Sequence, residues 1–494
     1  MTAGSTLGDL SASAGDLLGG VVGDPATAIK GVSYDSRAVA PGDLFFCVPG
    51  TQTDGHRFAA NAVTAGASAL CVERRQDLDV AQIVVSDVRR AMARVGAAFF
   101  GYPAEALMLL GVTGTNGKTT TAFLLESIMR ADGHRTGLIG TIETRVGDRV
   151  EPGVRTTPES LDLQRLFAQM VSDGVTATVM EVTSHALVLD RVEAIHFRAA
   201  AFTNLSQDHL DFHSGMEDYF QAKASLFTAT RTERGATNVD DDHGRRLLAS
   251  DVPMMGFGVS TDAQVRAEDI SFEPTGTRFK VRTPKGDMDV STHLIGGFNV
   301  SNCLAATATA LQAGIGLDSI EQGLRSRGAV PGRFESIDAG QPFSVVVDYA
   351  HTPDSLDNVL RAARAATREG RVICVFGCGG DRDRGKRPLM GAVAAQLADV
   401  VVVTSDNPRT EDPHSILDQI LEGVIAHRAE GPDVVTADRA DAIHQAVAQA
   451  RPRDVVLIAG KGHETGQQFA DHTIPFDDRT VARAALAELG WGRT

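Results

Sequence analysis

The segment ALMLLGVTGTNGKTTTAFLLESIMRADG, residues 106–133, constrains this chain more than any other. An apolar run enters a glycine-rich loop, and the loop opens an amphipathic helix. A strand joined to a helix in this way gathers backbone N–H groups and the positive end of a helix around one point, which suits a polyphosphate. Within GVTGTNGKTT (111–120), Gly114, Thr115, Asn116 and Gly117 make the turn. Lys118 can neutralise β- and γ-phosphate oxygens, Thr119 can hold Mg²⁺ through its hydroxyl, and Thr120 follows in the first helical turn. The loop is a variant: Val112 stands where the usual spacing puts the first glycine, and the glycines fall at 111, 114 and 117. A phosphate loop implies a nucleoside triphosphate and leaves open where the phosphate goes.

With 494 residues, two to four domains are expected. The chain carries 47 Lys and Arg against 63 Asp and Glu, a net charge of −16. A large nucleic-acid footprint is excluded on that balance, because phosphate backbones need a basic surface. An anionic ligand needs local positive charge instead. No apolar run approaches the roughly 20 residues of a membrane helix, so no membrane insertion is expected. The first twenty residues lack a basic segment and do not read as a signal peptide. The five cysteines are scattered and odd in number, which fits reduced thiols and a cytoplasmic location. Cys374 and Cys378 have no second Cys/His pair at metal spacing.

The order of elements predicts an α/β fold in three domains, bounded at 1–104, 105–330 and 331–494. The first holds short apolar runs at 43–50, 67–73 and 81–87 around one helical stretch. The second alternates strand and helix through TGLIGT, TATVMEVTS and AAAFTNLS, which predicts a mostly parallel sheet. Residues 265–298 alternate apolar and polar and read as an antiparallel β insertion. The third repeats near-continuous β-branched runs, FSVVVDYA, VICVFGCGG, DVVVVTSDNP, PDVVTAD and DVVLIAGKG, as strands buried on both faces do. Ligands then belong at the C-terminal ends of those strands.

Glu181 ends the run TATVM, well placed to hold Mg²⁺ opposite the phosphate loop, although a solvated strand-end acid gives the same pattern. NLSQDHLDFH (204–213) follows the next strand, and His209 is its best metal-ligand candidate, since neutral imidazole binds metals directly. Lys223 lies on the apolar stripe of SGMEDYFQAKASLF, seven residues after Met216. A snorkelling lysine fits that stripe. So does a buried amine of lowered pKa, able to take up CO₂ as a carbamate and ligate a second Mg²⁺.

GTNGKTT, MEVTSH, TNLSQDHLD, GGFNVSN, GRFE and DYAHTPDSL stand in one order along the chain and together resemble the Mur ligase family, ATP-dependent amide-bond ligases of peptidoglycan synthesis. The first motif alone would also fit folylpolyglutamate synthetases. The resemblance implies a UDP-binding module, a central ATPase domain and a Rossmann-like C-terminal domain. It implies catalytic roles for Lys118, Glu181, His209 and Lys223, the last carbamylated, with two Mg²⁺ ions on Thr119, Glu181, His209 and the Lys223 carbamate. Asn299 and Asn302 lie where the base is contacted, and Arg333 and Asp348 reach ATP from the third domain. Tyr34, Ser36, Thr51, Gln52 and Thr53 match the uridine-nucleotide pocket. Thr156, Thr157, Thr183 and Arg191 match positions that hold the muramoyl dipeptide. Leu189 departs from the family, where glutamine is frequent.

DNPRTEDP (406–413) resembles the recognition motif of the family members that add meso-diaminopimelate to a UDP-muramoyl dipeptide. Such an amino acid needs a guanidinium fork for its distal carboxylate and an acceptor for its distal ammonium. Asp406 and Asn407 are expected as acceptors, Arg409 as the fork, and Pro408 stiffens the loop. Arg382 is a second carboxylate candidate, and Gly460 and Glu464 complete the pocket. Small-molecule substrates, a monomer and an acyl-phosphate route follow from the same resemblance. Lysine addition and folate polyglutamylation are the alternative activities.

Overall fold

The computed structural model describes residues 5–50, 53–273, 276–367 and 369–492; Thr51 and Gln52 lie outside the described residues. Three sheets of five, eleven and six strands follow one another along the chain. The first runs, in spatial order, Leu18–Val22, Ala81–Val85, Ala69–Val72, Asp43–Phe46 and Gly31–Ser33, parallel apart from its first member. Its helix Val88–Phe99 buries Val88, Ala91, Met92 and Val95 on one face, at the three- and four-residue spacing of an amphipathic helix.

The second sheet is parallel across seven strands, from Thr136–Ile139 through Ala177–Glu181, Met108–Thr113, Ala199–Phe202, Gly235–Asn238 and Met254–Gly258 to Val265–Glu273. The antiparallel segment expected at 265–298 comprises Val265–Glu273, Gly276–Thr283 and Gly286–Thr292 and extends this sheet rather than standing apart from it. The alternating pattern has a plain cause. Ala267, Phe279, Val281, Met288 and Val290 face a core shared with the helices Gly297–Ala313 and Leu317–Ser326, while the intervening residues face water.

In the third sheet the order is Glu335–Ser336, Ser344–Asp348, Val455–Ala459, Val372–Phe376, Val400–Thr404 and Val434–Thr436, with only the first strand antiparallel. Val372, Cys374 and Phe376 pack against the helices Pro353–Ala366, Lys386–Leu397 and Pro413–His427. Ile373 and Val375 pack the opposite way, against Arg439–Ala448 and Asp478–Glu488. Burial on both faces is why these strands read as unbroken β-branched runs. No helix among the described residues is long and apolar enough to cross a membrane.

Candidate active site

Met108–Thr113 occupies an inner position of the central sheet, and its C-terminal end delivers the phosphate loop to the helix Lys118–Ala131. The loop is drawn tight against the next crossover. A β-carbon on Gly114 (φ +144°) would stand 1.9 Å from Thr203 Oγ1, and one on Gly117 (φ +85°) 2.3 Å from Asn302 Oδ1. Only glycine fits either place. Lys118 folds back on the loop, donating to the carbonyls of Gly114 (3.0 Å) and Thr115 (2.7 Å). Burial lowers its pKa, and the more distant Glu181 and Asp208 carboxylates offset that only in part.

The loop faces a cavity of about 750 Å³ between the second and third sheets. Thr115–Thr120, Thr156, Thr157, Glu181, Thr183, Arg191, His209, Asn302, Arg333 and Asp348 all line it. Glu181, at the end of its strand, is 1% exposed. Its carboxylate accepts from Thr141 N (2.8 Å), Thr141 Oγ1 (3.1 Å) and Thr119 Oγ1 (3.0 Å). Arg333 donates to the same Thr119 hydroxyl at 3.0 Å, so the third segment of the chain reaches the first residues of the phosphate-loop helix. The buried Nε atoms of Arg333 and Arg191 have no partner among the described residues. Such orphan donors suit an anion.

His209 adopts φ +56° in the loop after Ala199–Phe202. Burial pushes its imidazole below the usual histidine range, against the pull of the Asp208 carboxylate 3.5 Å away, which favours the neutral ring. Lys223 is 1% exposed beneath the loop. Its ammonium donates to Gly114 O at 2.8 Å and lies 4.5 Å from the Tyr219 ring centroid. Burial, and then repulsion from Lys118, place its pKa well below that of a free lysine.

Other residues expected in the site do quieter work. Asn299 is not on the cavity wall; it accepts from Asn302 Nδ2 at 3.0 Å and so orients Asn302. Asp348 accepts the N–H groups of Phe334 and Ala350, both at 2.7 Å, and thereby shapes the turn that carries Arg333. Thr157 accepts Thr183 N (3.1 Å), and Arg191 donates to Thr157 O (3.1 Å) while pairing with Glu159. Leu189 ends the short helix Ser184–Val188 and does not line the cavity. Tyr34, Ser36 and Thr53 lie away from the cavity in the first segment; the Tyr34 hydroxyl donates to Asp162 at 2.6 Å, bridging to the second.

The DNPR segment forms a separate cluster at the C-terminal ends of Val400–Thr404 and Val455–Ala459. Asp406, Asn407 and Pro408 are buried, Arg409 is half-buried and Arg382 exposed. Arg409 takes φ +52° and donates to Gly380 O at 2.6 Å. Gly460, at φ +123°, leaves room for Asp406, whose Oδ2 would stand 2.6 Å from a β-carbon there. Asn407 Nδ2 donates to Glu464 at 2.8 Å. None of these seven residues is part of the 750 Å³ cavity wall.

Several site residues escaped the sequence. His185 stacks on Phe212 (4.0 Å between centroids) and lines the cavity beside His209. Arg387 and Arg439 are wholly buried, paired with Glu411 and Asp478 behind the DNPR segment. Lys461 is wholly buried within GKGHE. Each sits next to a residue that was singled out, and nothing in spacing alone separates it from a surface charge. A larger cleft of about 1040 Å³ shares Phe298 and Asn358 with the active cavity, but its arginines, Arg361 and Arg453, are already paired with Asp357 and Glu369. Among the described residues no three His, Cys, Asp or Glu side chains converge on a metal site, and burial holds the Cys374 and Cys378 thiols up at about 12.

Comparison with known proteins finds three family models in succession along the chain. Family models match at residues 28–108 (Mur ligase family, catalytic domain), 112–310 (Mur ligase middle domain) and 332–462 (Mur ligase, glutamate ligase domain). A relative from Geobacillus thermodenitrificans, named UDP-N-acetylmuramoyl-L-alanyl-D-glutamate–2,6-diaminopimelate ligase, is 50% identical over 470 residues, covering 93% of this chain and 95% of its own. One of the same name from Streptomyces coelicolor is 48% identical over 483 residues, covering 95% of each. A solved structure of a ligase of that name superposes with a TM-score of 0.70 at 31% identity, covering 99% of this chain and all of its own. The MurF ligase of Thermotoga maritima in complex with ADP shares the fold alone, at 19% identity, 93% and 96% coverage and TM-score 0.65. With all three segments matched and half its residues shared with a full-length relative, the chain belongs to the Mur ligase family.

Proposed function

We propose that this chain joins meso-2,6-diaminopimelate to the D-glutamyl γ-carboxylate of UDP-N-acetylmuramoyl-L-alanyl-D-glutamate, using ATP, in the bacterial cytoplasm and as a monomer. The names of the relatives support the substrates. The observation that carries the chemistry is the single cavity on which Lys118, Thr119, Glu181, His209 and Arg333 converge. In the proposed division, residues 1–104 hold the uridine nucleotide, 105–330 activate the carboxylate, and 331–494 present the amino acid.

A carboxylate is a poor acyl donor because oxide is a poor leaving group. One carboxylate oxygen attacks the γ-phosphorus of ATP, ADP departs, and an acyl phosphate remains. The amine then attacks the acyl carbon, phosphate leaves and the amine proton is lost. The first step brings two anions together, and unit charges at 4 Å repel by roughly 4 kcal/mol at an effective dielectric near 20. Lys118, the N-terminus of Lys118–Ala131 and Arg333 supply local positive charge in a chain of net charge −16. In this reading Arg191, Thr156 and Thr157, which line the same cavity, hold the dipeptide against that charge.

Two Mg²⁺ ions fit the donor set. Glu181 and Thr119 offer oxygens, and His209 offers a neutral ring nitrogen. Lys223 is a buried amine whose lowered pKa favours the neutral form that adds CO₂, releasing a proton and leaving a carbamate. The ions would neutralise phosphate oxygens as charge shifts during transfer. Domain closure would exclude water from the acyl phosphate.

The test is a competition. With ATP and the UDP-muramoyl dipeptide, diaminopimelate should be extended and phosphate released in equal amount, and lysine should compete poorly. Product with lysine or a folate acceptor instead, or ATP binding without turnover, would refute the assignment.

A further inference from the structure

In the DNPR cluster the polar groups are already sorted by a residue the functional reading does not use. Lys461 is fully buried between Gly460 (φ +123°) and Gly462 (φ +51°), where the chain leaves Val455–Ala459. Its ammonium donates to Asn407 Oδ1 at 2.9 Å and to Glu464 Oε2 at 2.8 Å. The N–H of Gln468 donates to the same Asn407 oxygen at 2.9 Å. An ammonium and a peptide N–H can only donate, so the atom facing them must be the amide oxygen, and the Asn407 side chain has one permitted orientation. Both lone pairs of that oxygen are then engaged. Asn407 Nδ2 passes one hydrogen on to Glu464 Oε2 at 2.8 Å. That glutamate oxygen accepts twice, and Glu464 Oε1 has no hydrogen-bond partner among the described contacts of the cluster.

A consequence follows for recognition. Asn407 cannot accept from a ligand ammonium, because its oxygen is saturated. It has one amide hydrogen left, which suits a carboxylate. Glu464 has one free oxygen, which suits an ammonium. We propose that Lys461 is a positioning residue for the amino-acid substrate: it fixes Asn407 as a donor and one oxygen of Glu464 as a spent acceptor, so that the pocket presents Glu464 Oε1 to an ammonium and Asn407 Nδ2 to a carboxylate of a zwitterionic amino acid. The inference rests on the acceptor pocket assigned above and assigns Lys461 no contact with the substrate. Without the lysine the amide can flip and Glu464 can rotate, and the pocket loses its polarity; the Lys461 side chain itself bonds only Asn407 and Glu464 and lines no part of the 750 Å³ cavity.

The experiment compares the full-length wild type with Lys461→Met and Glu464→Gln by steady-state kinetics, varying diaminopimelate, ATP and the UDP-muramoyl dipeptide in turn. For Lys461→Met, the KM for diaminopimelate should rise at least tenfold, while the KM values for ATP and the nucleotide dipeptide stay within about twofold. Glu464→Gln keeps an oxygen for Lys461 and Asn407 but turns the pocket-facing oxygen into a donor. It should show the same selective rise, and it serves where Lys461→Met does not accumulate folded protein. Adding Lys461→Met to Glu464→Gln should raise that KM by less than the product of the two single effects, which a merely structural lysine would not produce. An unchanged KM for diaminopimelate, or three KM values rising together, would overturn the role of Lys461. Failure of the wild type to extend diaminopimelate at all is a different result and would overturn the functional assignment with it.

Discussion

Lys223 and Lys461 are 1% and 0% exposed, yet their surroundings are opposites. Lys223 has a carbonyl and an aromatic ring for company, with the like charge of Lys118 nearby. Lys461 has a carboxylate and an amide oxygen. The contrast extends to whole regions. Around the phosphate loop, Lys118 contacts only carbonyls, and Arg333 has a hydroxyl but no carboxylate as partner and an unpartnered Nε; Arg191, though paired with Glu159, also keeps a free Nε. Behind the DNPR segment, Arg387 meets Glu411 through two nitrogens, and Arg439 meets Asp478 in a bidentate pair at 2.7 Å. Unpaired buried charge destabilises a fold unless a ligand completes it. The central region is therefore a receptor for anions that the chain itself does not supply. The third pairs its fully buried arginines with carboxylates, although Arg387 Nε is unpartnered too, and leaves Arg409, which donates only to a carbonyl, free for a substrate carboxylate.

The comparison breaks most visibly at the receptor. Lys118→Ala removes a preorganised cation from developing phosphoryl charge and should lower turnover on the order of 10²–10³-fold, read as phosphate release at saturating substrates. Lys223→Ala should lose activity on a similar scale, and high bicarbonate should not restore it. Near-normal turnover in the Lys223 variant would mean that this lysine only packs.

At the prewired end the loss should be smaller and selective. Arg409→Ala leaves a diaminopimelate carboxylate unpaired, a loss of about 2 kcal/mol at a half-buried site, or roughly 30-fold in kcat/KM. The same change should alter lysine use far less. An equal drop for both amino acids would show that Arg409 supports the loop, through Gly380, rather than the substrate.

How much of this was visible beforehand follows from how local each cause is. The phosphate loop, Glu181 and the third-sheet strands were legible because each is set by a few consecutive residues: a glycine turn, a strand end, a β-branched run. The continuity of 265–292 with the central sheet was not, because the pairing of Phe257 with Val265 is a property of two strands together. The same holds inside the site. DNPR was found as a motif, but Asn407 was expected to accept, and its oxygen is taken by Lys461 and Gln468, 54 and 61 residues on. Likewise the two oxygens of Asp348 are engaged by backbone N–H groups. Residue type predicts what a side chain can do; its neighbours decide which of those capacities remains free.

Stability should divide the two lysines in the opposite sense to activity. Lys223→Met removes an amine whose charged form burial disfavours and should leave the thermal midpoint unchanged or higher. Lys461→Met strands Glu464 and the Asn407 oxygen and should cost about 1–3 kcal/mol, since Glu464 is partly exposed. A comparable loss in both would mean that Lys223 is compensated in a way its contacts do not reveal.

The smallest expected effect concerns pH and the pairs behind the acceptor pocket. Hydrogen bonds from Arg387 hold the Glu411 carboxyl down at about 2, against an ordinary value of 4.5. The folded value is the lower one, so the unfolded chain binds the extra proton. The stabilisation is complete above the unfolded value and is lost as pH falls from about 4.5 through about 2. Glu411→Gln should therefore lower the unfolding free energy at pH 7 by on the order of 1–2 kcal/mol, after allowance for screening by water, and by progressively less toward pH 2, with the thermal midpoint falling accordingly. The two midpoint curves should converge at the acid end. Central-region variants such as Lys118→Ala have no paired carboxylate to release, and their offset from wild type should stay flat over the same interval. Parallel curves for Glu411→Gln would mean that Arg387 is held by Gln419 and Gly379 O, which also accept from it, and that the third region owes its rigidity to neutral hydrogen bonds rather than to paired charge.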